Sequence, residues 1–208
     1  MRTLFIGLAL LLAPSLTIAG DVGNQFITAK LQYGASVSIP KSWQVLRGNE
    51  MRAIETAVGA AIDLSGYSKL VDGTEALLVS SFPDPKLFAG VTITSTSIPG
   101  VTANFPATLS DSQVRSMEQT IRQGIESMGA RLGAKVSRWT PLRKVRLGTR
   151  TVMHTSYLRS SEAGDGSVQL YKFFGAGRIY DVVVSTSVAS EGVNGVVLEK
   201  IVTSFVAP

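Results

Sequence analysis

The chain has 208 residues, which is enough for one domain of ordinary size that buries its own core. It contains no Cys, and this excludes disulfides, thiol catalysis, thiolate metal sites and thiol redox chemistry. Its 20 basic and 15 acidic residues give a formal net charge of +5, so the protein is mildly basic.

Residues 1–19 are typical of a secretory signal peptide. Arg2 precedes an apolar run over residues 4–12, and Thr17 and Ala19 occupy the small-residue positions of a signal-peptidase site, so we expect cleavage after Ala19. The run is shorter than the roughly 20 residues of a membrane-spanning helix, and the lack of Cys excludes a lipid-anchored lipoprotein. The mature protein is therefore predicted to be periplasmic or secreted, without a transmembrane segment and without nucleic acid as a partner.

After the signal peptide we expect an N-terminal tail over residues 20–30 and a single α+β domain over residues 31–208. Residues 31–34 and 36–40 alternate apolar and polar side chains, which predicts two short strands broken at Gly34, and Trp43 is expected to cap one end of the core. Apolar spacing predicts a helix over residues 49–64. Residues 77–82 and 91–94 are predicted strands, and their Thr and Ser residues suggest that one face of each is solvated.

The best-defined predicted element is a helix over residues 111–132. Ser110 and Gln113 have the spacing of a capping box, and Leu109 and Val114 that of a hydrophobic staple. One apolar stripe follows the helix, and core packing against a sheet explains it better than a partner groove. The stripe consists of Val114, Met117, Ile121, Ile125, Met128 and Leu132. Gly129 or Gly133 is expected to end the helix.

No acidic residue occurs between Glu126 and Glu162, whereas basic residues are frequent there. We call residues 131–159 the basic window. It holds two candidate strands, 135–139 and 142–147, and in the second the side chains of Lys144 and Arg146 share one face, as in a half-solvated edge strand. Two interpretations remain open: a solvated face, or a surface that binds anionic lipid, polysaccharide or an acidic protein. In the second case the binding residues would be Arg138, Arg143, Lys144, Arg146 and Arg150.

Residues 150–186 contain three strand-like runs joined by Gly-marked turns, and an apolar helical run closes the chain. This pattern predicts an antiparallel meander at the centre of the domain, with the 111–132 helix and the C-terminal helix packed on it. The fold class is α+β: an α/β/α sandwich with a central, mainly antiparallel sheet.

The order of these features resembles the Mog1/PsbP-like proteins, which have bacterial members in the cell envelope. The resemblance rests on a YGASVSIPKSW start, the meander and a closing LEKIVTSF helix. The residues that carry it are Tyr33, Pro40, Trp43, Tyr157, Tyr171, Gly177, Tyr180, Ser204 and Phe205. It implies the sandwich fold and a bias toward accessory or binding roles rather than catalysis. It transfers no functional residue, because one scaffold carries unrelated functions.

His154 is the only histidine and lies in a predicted strand, on the same face as Val152, Ser156 and Leu158. No triad spacing surrounds it, so a structural histidine is the preferred interpretation, with a small hydrolase or transferase as the alternative. One His and no Cys do not predict a zinc or copper site, and residues 160–167 read as a hairpin turn rather than a calcium loop. We therefore expect a non-enzymatic envelope protein without a cofactor or metal. A small-ligand carrier with a pocket under the 111–132 helix is a further alternative.

Overall fold

The structure is a computed structural model that describes residues 26–46, 74–81, 88–131, 133–161 and 164–208. The described residues form nine strands and three α-helices. In chain order these are β1 (Phe26–Lys30), β2 (Ser36–Pro40), β3 (Gln44–Leu46), β4 (Thr74–Ser81), β5 (Ala89–Ser97), α1 (Phe105–Thr108), α2 (Asp111–Arg131), β6 (Lys135–Leu147), β7 (Arg150–Ser161), β8 (Gly164–Gly175), β9 (Arg178–Ser187) and α3 (Glu191–Ser204).

A seven-stranded antiparallel sheet has the order β3-β4-β5-β9-β8-β7-β6. The predicted meander is confirmed as β7, β8 and β9, and the edge position of the basic strand is confirmed as β6. The β8–β9 turn places Ala176 and Gly177 at φ of 48° and 71°. Positive φ at both central residues is the geometry that matches the twist of two adjoining strands.

Side-chain alternation divides the sheet into two faces. On β7 and β8, Val152 and Phe173 lie in a core that contains the buried residues of α3, β1 and β2. Their chain neighbours Met153 and Phe174 lie in a second core with Leu142 and the apolar side of α2. We call these the α3 face and the α2 face. Layers on both faces of an antiparallel sheet confirm the predicted α+β sandwich.

The capping and packing of α2 follow the sequence. The Ser110 backbone N–H donates to Gln113 Oε1 at 2.8 Å, and the Gln113 N–H donates to Ser110 Oγ at 3.3 Å, so the capping box is confirmed. Gly133, with φ of 67°, follows the last helical turn, and the Ala134 N–H donates to the Gly129 carbonyl. The first half of the apolar stripe, Val114, Met117 and Ile121, packs against Leu142, Met153 and Phe174, as core packing predicts. Leu132 of the stripe lies outside the described residues.

Two predictions about the start of the domain are wrong. Residues 26–30 are not tail: they form β1, which pairs antiparallel with β2 in a separate two-stranded sheet. Residues 32–34 are a 3₁₀ turn rather than a strand, because Tyr33 and Gly34 have φ of 59° and 76° and reverse the chain between β1 and β2. An exposed, short strand such as β1 lacks a strong apolar alternation, so its sequence did not reveal it.

Two further predictions need correction. The two candidate strands of the basic window form one strand, β6, with irregular pairing at Ser137 to Thr140 and at Thr140 to Arg143. The solvated face expected for β4 and β5 is absent over much of their length, since Ser80, Thr94 and Ser95 are buried. Both strands lie inside the sheet, and hydrogen bonds satisfy some of the buried hydroxyls, such as that of Ser80 to the Gln44 carbonyl at 2.7 Å.

The expected signal peptide (1–19) and helix (49–64) lie outside the described residues. Within the described ranges, no helix has both the length and the apolar character needed to cross a membrane.

Candidate functional site

The basic window does not form one surface. Because strand alternation sends neighbouring side chains to opposite faces, Arg143 lies on the α3 face of β6, whereas Lys144 and Arg146 lie on the α2 face. Arg138 sits at an irregularity of β6 with φ of 48°, where it is exposed. Two of the five predicted binding residues, Arg146 and Arg150, line a common pocket near the end of the β6–β7 hairpin, although strand alternation places them on opposite faces of the hairpin.

Lys144 has a structural contact. Its Nζ donates to the Leu109 carbonyl at 2.7 Å, just before α2 begins. That bond ties β6 to the connection between α1 and α2. The sequence placed Lys144 on the correct face with Arg146, but it could not show that the loop before α2 supplies an acceptor for it.

A pocket of about 380 Å³ lies at the end of the β6–β7 hairpin. We call it the hairpin pocket. Four parts of the chain meet there: α1 with the two residues before it, the hairpin itself, the end of β8, and the C-terminal residues that follow α3. Its lining consists of Ala103, Asn104, Ala107, Arg146, Thr149, Arg150, Thr151, Val152, Phe173, Phe174, Ala207 and Pro208. The sequence singled out the two arginines but missed Asn104 and both threonines, since nothing local to them indicates that they share a pocket.

The hairpin pocket is positively charged and polar at its rim. Arg146 is exposed, and Arg150 is half-buried with its Nη1 donating to the Phe205 carbonyl at 3.2 Å. Neither arginine forms an ion pair with any described residue, and the described residues that line the pocket include no acidic side chain. Phe173 and Phe174, which are buried on opposite faces of β8, also line the pocket.

His154 lies elsewhere, on the α3 face of β7. It is 8% exposed, and its ring centroid is 4.4 Å from that of Tyr171 on β8. Burial lowers the pKa of His154 below its ordinary value of 6.5; the nearby Arg143 adds to this, and the Gln169 side chain opposes it. Its neighbours on the same face of the adjacent described strands are Arg143 and Tyr171, so the strands paired with β7 place no carboxylate or serine directly opposite His154.

Among the described residues, no group of three or more His, Asp and Glu side chains is placed to hold a metal ion. The strands β7 and β8 are joined as a hairpin, with Ser161 paired to Gly164, as expected for residues 160–167.

Comparison with solved structures finds a similar fold in cyanobacterial PsbP (CyanoP) from Synechocystis sp. PCC 6803. The match covers 91% of this chain and 95% of that one, with a TM-score of 0.55 and 10% identity. The chain has the PsbP fold. The predicted Mog1/PsbP-like resemblance is therefore confirmed for the fold, and at this identity for the fold alone.

Two more distant similarities have TM-scores too low to bear on fold or function. One is a crystal structure from Bacteroides thetaiotaomicron VPI-5482, with a TM-score of 0.44 at 10% identity, covering 84% of this chain and 45% of that one. The other is a protein of unknown function, PA94, from Pseudomonas aeruginosa, described as a putative regulator, with a TM-score of 0.38 at 10% identity, covering 88% and 98%. No family model and no curated protein sequence matches the chain.

Proposed function

We propose that this protein is a non-enzymatic accessory protein, exported to the cell envelope, that binds an acidic segment of a partner protein in the hairpin pocket. One observation carries the binding role: Arg146 and Arg150 line a pocket without an acidic side chain and have no ion-pair partner among the described residues. A guanidinium group presents several N–H donors in a plane and pairs with a carboxylate through two of them. The signal-like residues 1–19 motivate export.

The number of basic residues, the burial of the aromatic rings and the volume of the hairpin pocket favour a protein segment over the other anionic partners. A membrane surface is usually recognised by about four to eight basic residues in a cluster, whereas this pocket presents two. A polysaccharide is commonly held against exposed aromatic faces, but Phe173 and Phe174 are only 2% and 5% exposed. A volume of about 380 Å³ is at the small end for ligand pockets and suits one acidic side chain with a small apolar neighbour.

Site-directed photocrosslinking in intact cells tests this proposal. A photoreactive residue replaces Ala107, which is exposed and lines the hairpin pocket, in the full chain. We expect a discrete protein adduct that falls at least tenfold with Arg146→Glu. The matched control is Arg159→Glu, the same charge reversal at an exposed site on β7 outside the pocket, and it should retain the adduct.

Adducts of equal yield in the wild type and in Arg146→Glu would refute the binding role, and so would adducts with lipid or polysaccharide only. Arg146 is a better target than Lys144, because reversing Lys144 also removes its bond to the Leu109 carbonyl. Export is tested separately by sequencing the N-terminus of the mature protein, which we expect to begin at Gly20. An unprocessed N-terminus would refute cleavage after Ala19.

A further inference from the structure

A second polar cluster lies on the α3 face of the sheet. It shares no residue with the hairpin pocket. Arg143 on β6, His154 on β7 and Tyr171 on β8 are direct neighbours across three strands. Ser156 and Gln169 form the next row on the same face. We call these five residues the His154 cluster. Arg143 is exposed, and Ser156, Gln169 and Tyr171 are half-buried. Solvent therefore reaches the cluster from the β6 side.

His154 has an unsatisfied atom at the centre of this cluster. The residue is 8% exposed, and its Nε2 is buried without a hydrogen-bond partner among the described residues. Buried polar side-chain atoms in folded proteins are nearly always hydrogen-bonded. An unpaired buried atom therefore indicates a hydrogen-bonding group that the chain itself does not supply. Burial lowers the pKa of His154, so the imidazole is neutral at neutral pH. In a neutral imidazole one ring nitrogen donates a hydrogen bond and the other accepts one, and Nε2 is one of these two atoms.

Three side chains surround the His154 ring: Arg143, Tyr171 and Gln169, of which the Gln169 side chain also forms a hydrogen bond with His154 that opposes the lowering of its pKa. Burial raises the pKa of the Tyr171 hydroxyl, and the Glu199 carboxylate on α3 is near enough to raise it further. Arg143 makes no ion pair with any described residue. The Tyr171 hydroxyl donates to Gln169 Oε1 at 2.7 Å, which occupies the carbonyl side of that amide and leaves its N–H groups for another acceptor. The cluster thus offers guanidinium and amide donors beside an aromatic pair of rings. Its complement is an acceptor that carries negative charge.

We propose that the His154 cluster binds an oxyanion, a carboxylate or a phosphate, of a small polar molecule. Arg143 pairs with the charge, the Gln169 amide donates a further hydrogen bond, and Nε2 of His154 contacts the bound group. The site shares no residue with the hairpin pocket, so it adds a ligand to the proposed function and does not depend on it.

The single histidine makes this inference directly testable by NMR. Imidazole ¹H–¹⁵N correlations of the mature protein report on His154 alone. The probes are sodium phosphate and sodium acetate, each titrated against sodium chloride at matched ionic strength. We expect at least one of them to shift the His154 resonances in a saturable manner. Saturation by phosphate alone or by acetate alone identifies which oxyanion the cluster prefers.

Arg143→Gln should weaken that binding at least tenfold, and Gln169→Leu should weaken it to a smaller extent. Arg159→Gln is the matched control, since it removes one exposed positive charge from the neighbouring strand outside the cluster. Shifts that stay linear and equal those with chloride for both probes would overturn the proposal. A saturable shift that Arg143→Gln leaves unchanged would overturn it as well.

Discussion

The ion pair between Lys172 and Asp181 allows a quantitative test of how the sheet is stabilised. The two residues are opposite each other on β8 and β9, and Lys172 Nζ lies 2.7 and 2.8 Å from the two carboxylate oxygens of Asp181. Their side chains are only 12% and 7% exposed. At such burial each charge has lost most of its hydration, and the partner replaces that hydration.

The perturbation is Asp181→Asn, which leaves the Lys172 ammonium buried without a counter-charge. Breaking a buried pair in this way lowers the free energy of unfolding by about 3–5 kcal/mol. For a domain of this length each kcal/mol corresponds to about 2–4 °C in Tm, so the loss is at least about 6 °C. The double variant Lys172→Met/Asp181→Leu should recover most of that loss, because it removes both desolvated charges together.

Urea denaturation and calorimetry of the mature protein measure these changes. The control is Glu126→Gln, which breaks the Arg122–Glu126 pair on α2; its atoms are also 2.8 Å apart, but the side chains are 52% and 45% exposed. An exposed pair of this kind contributes about 0.3–0.5 kcal/mol. If Asp181→Asn destabilises the protein no more than Glu126→Gln does, burial is not what gives the Lys172–Asp181 pair its effect, and the reasoning is wrong.

Two other predictions concern His154 and the glycines. Because the pKa of His154 is lowered in the folded protein, its neutral form stabilises the fold above pH about 6.5, and this contribution is lost as the pH falls through 6.5 toward the folded pKa. When the pH is lowered from about 7.5 to about 5, the urea midpoint should therefore decrease less in His154→Gln than in the wild type. An equal decrease in both proteins would contradict the prediction. A Cβ at Gly175 would collide with the Pro208 carbonyl oxygen, whereas one at Gly195 on α3 meets nothing within 4 Å. Gly175→Ala should lower the unfolding free energy by about 1–3 kcal/mol and Gly195→Ala should raise it by about 0.5–1 kcal/mol; the same sign for both would show that backbone packing does not decide these sites.

The elements that the sequence predicted well are those with local signals. The capping box of Ser110 and Gln113 and the stripe of α2 depend on spacings within one helix, and both are present as expected. The strands β7, β8 and β9 are rich in β-branched and aromatic residues and are joined by turns with Gly. The strand β1 was not predicted, because its pairing with β2 defines it. The 3₁₀ turn at Tyr33 was not predicted either, because it depends on a positive φ at a non-glycine residue.

The candidate sites depend on contacts that are distant in sequence. Arg146 and Arg150 were identifiable from the lack of acidic residues around them, but Asn104 joins them only because α1 packs at the end of β7 and β8. His154 was placed on the correct face of its strand, yet its neighbours Arg143 and Tyr171 follow from the registers of β6 and β8 against β7. Those registers depend on strand irregularities such as the one between Thr140 and Arg143, for which the sequence carries no clear signal.

The sequence by itself determined the α+β class, the long capped helix, the central meander and the concentration of positive charge in residues 131–159. Periodicity, capping and charge are local properties, so they can be read along the chain. The tertiary structure alone decided how that charge is distributed. Alternation along β6 turns Arg143 to one face and Lys144 and Arg146 to the other, and the Leu109 carbonyl binds Lys144. Of the residues that one interpretation of the sequence grouped as a single binding surface, Arg146 and Arg150 therefore line the hairpin pocket, whereas Arg143 lies beside His154.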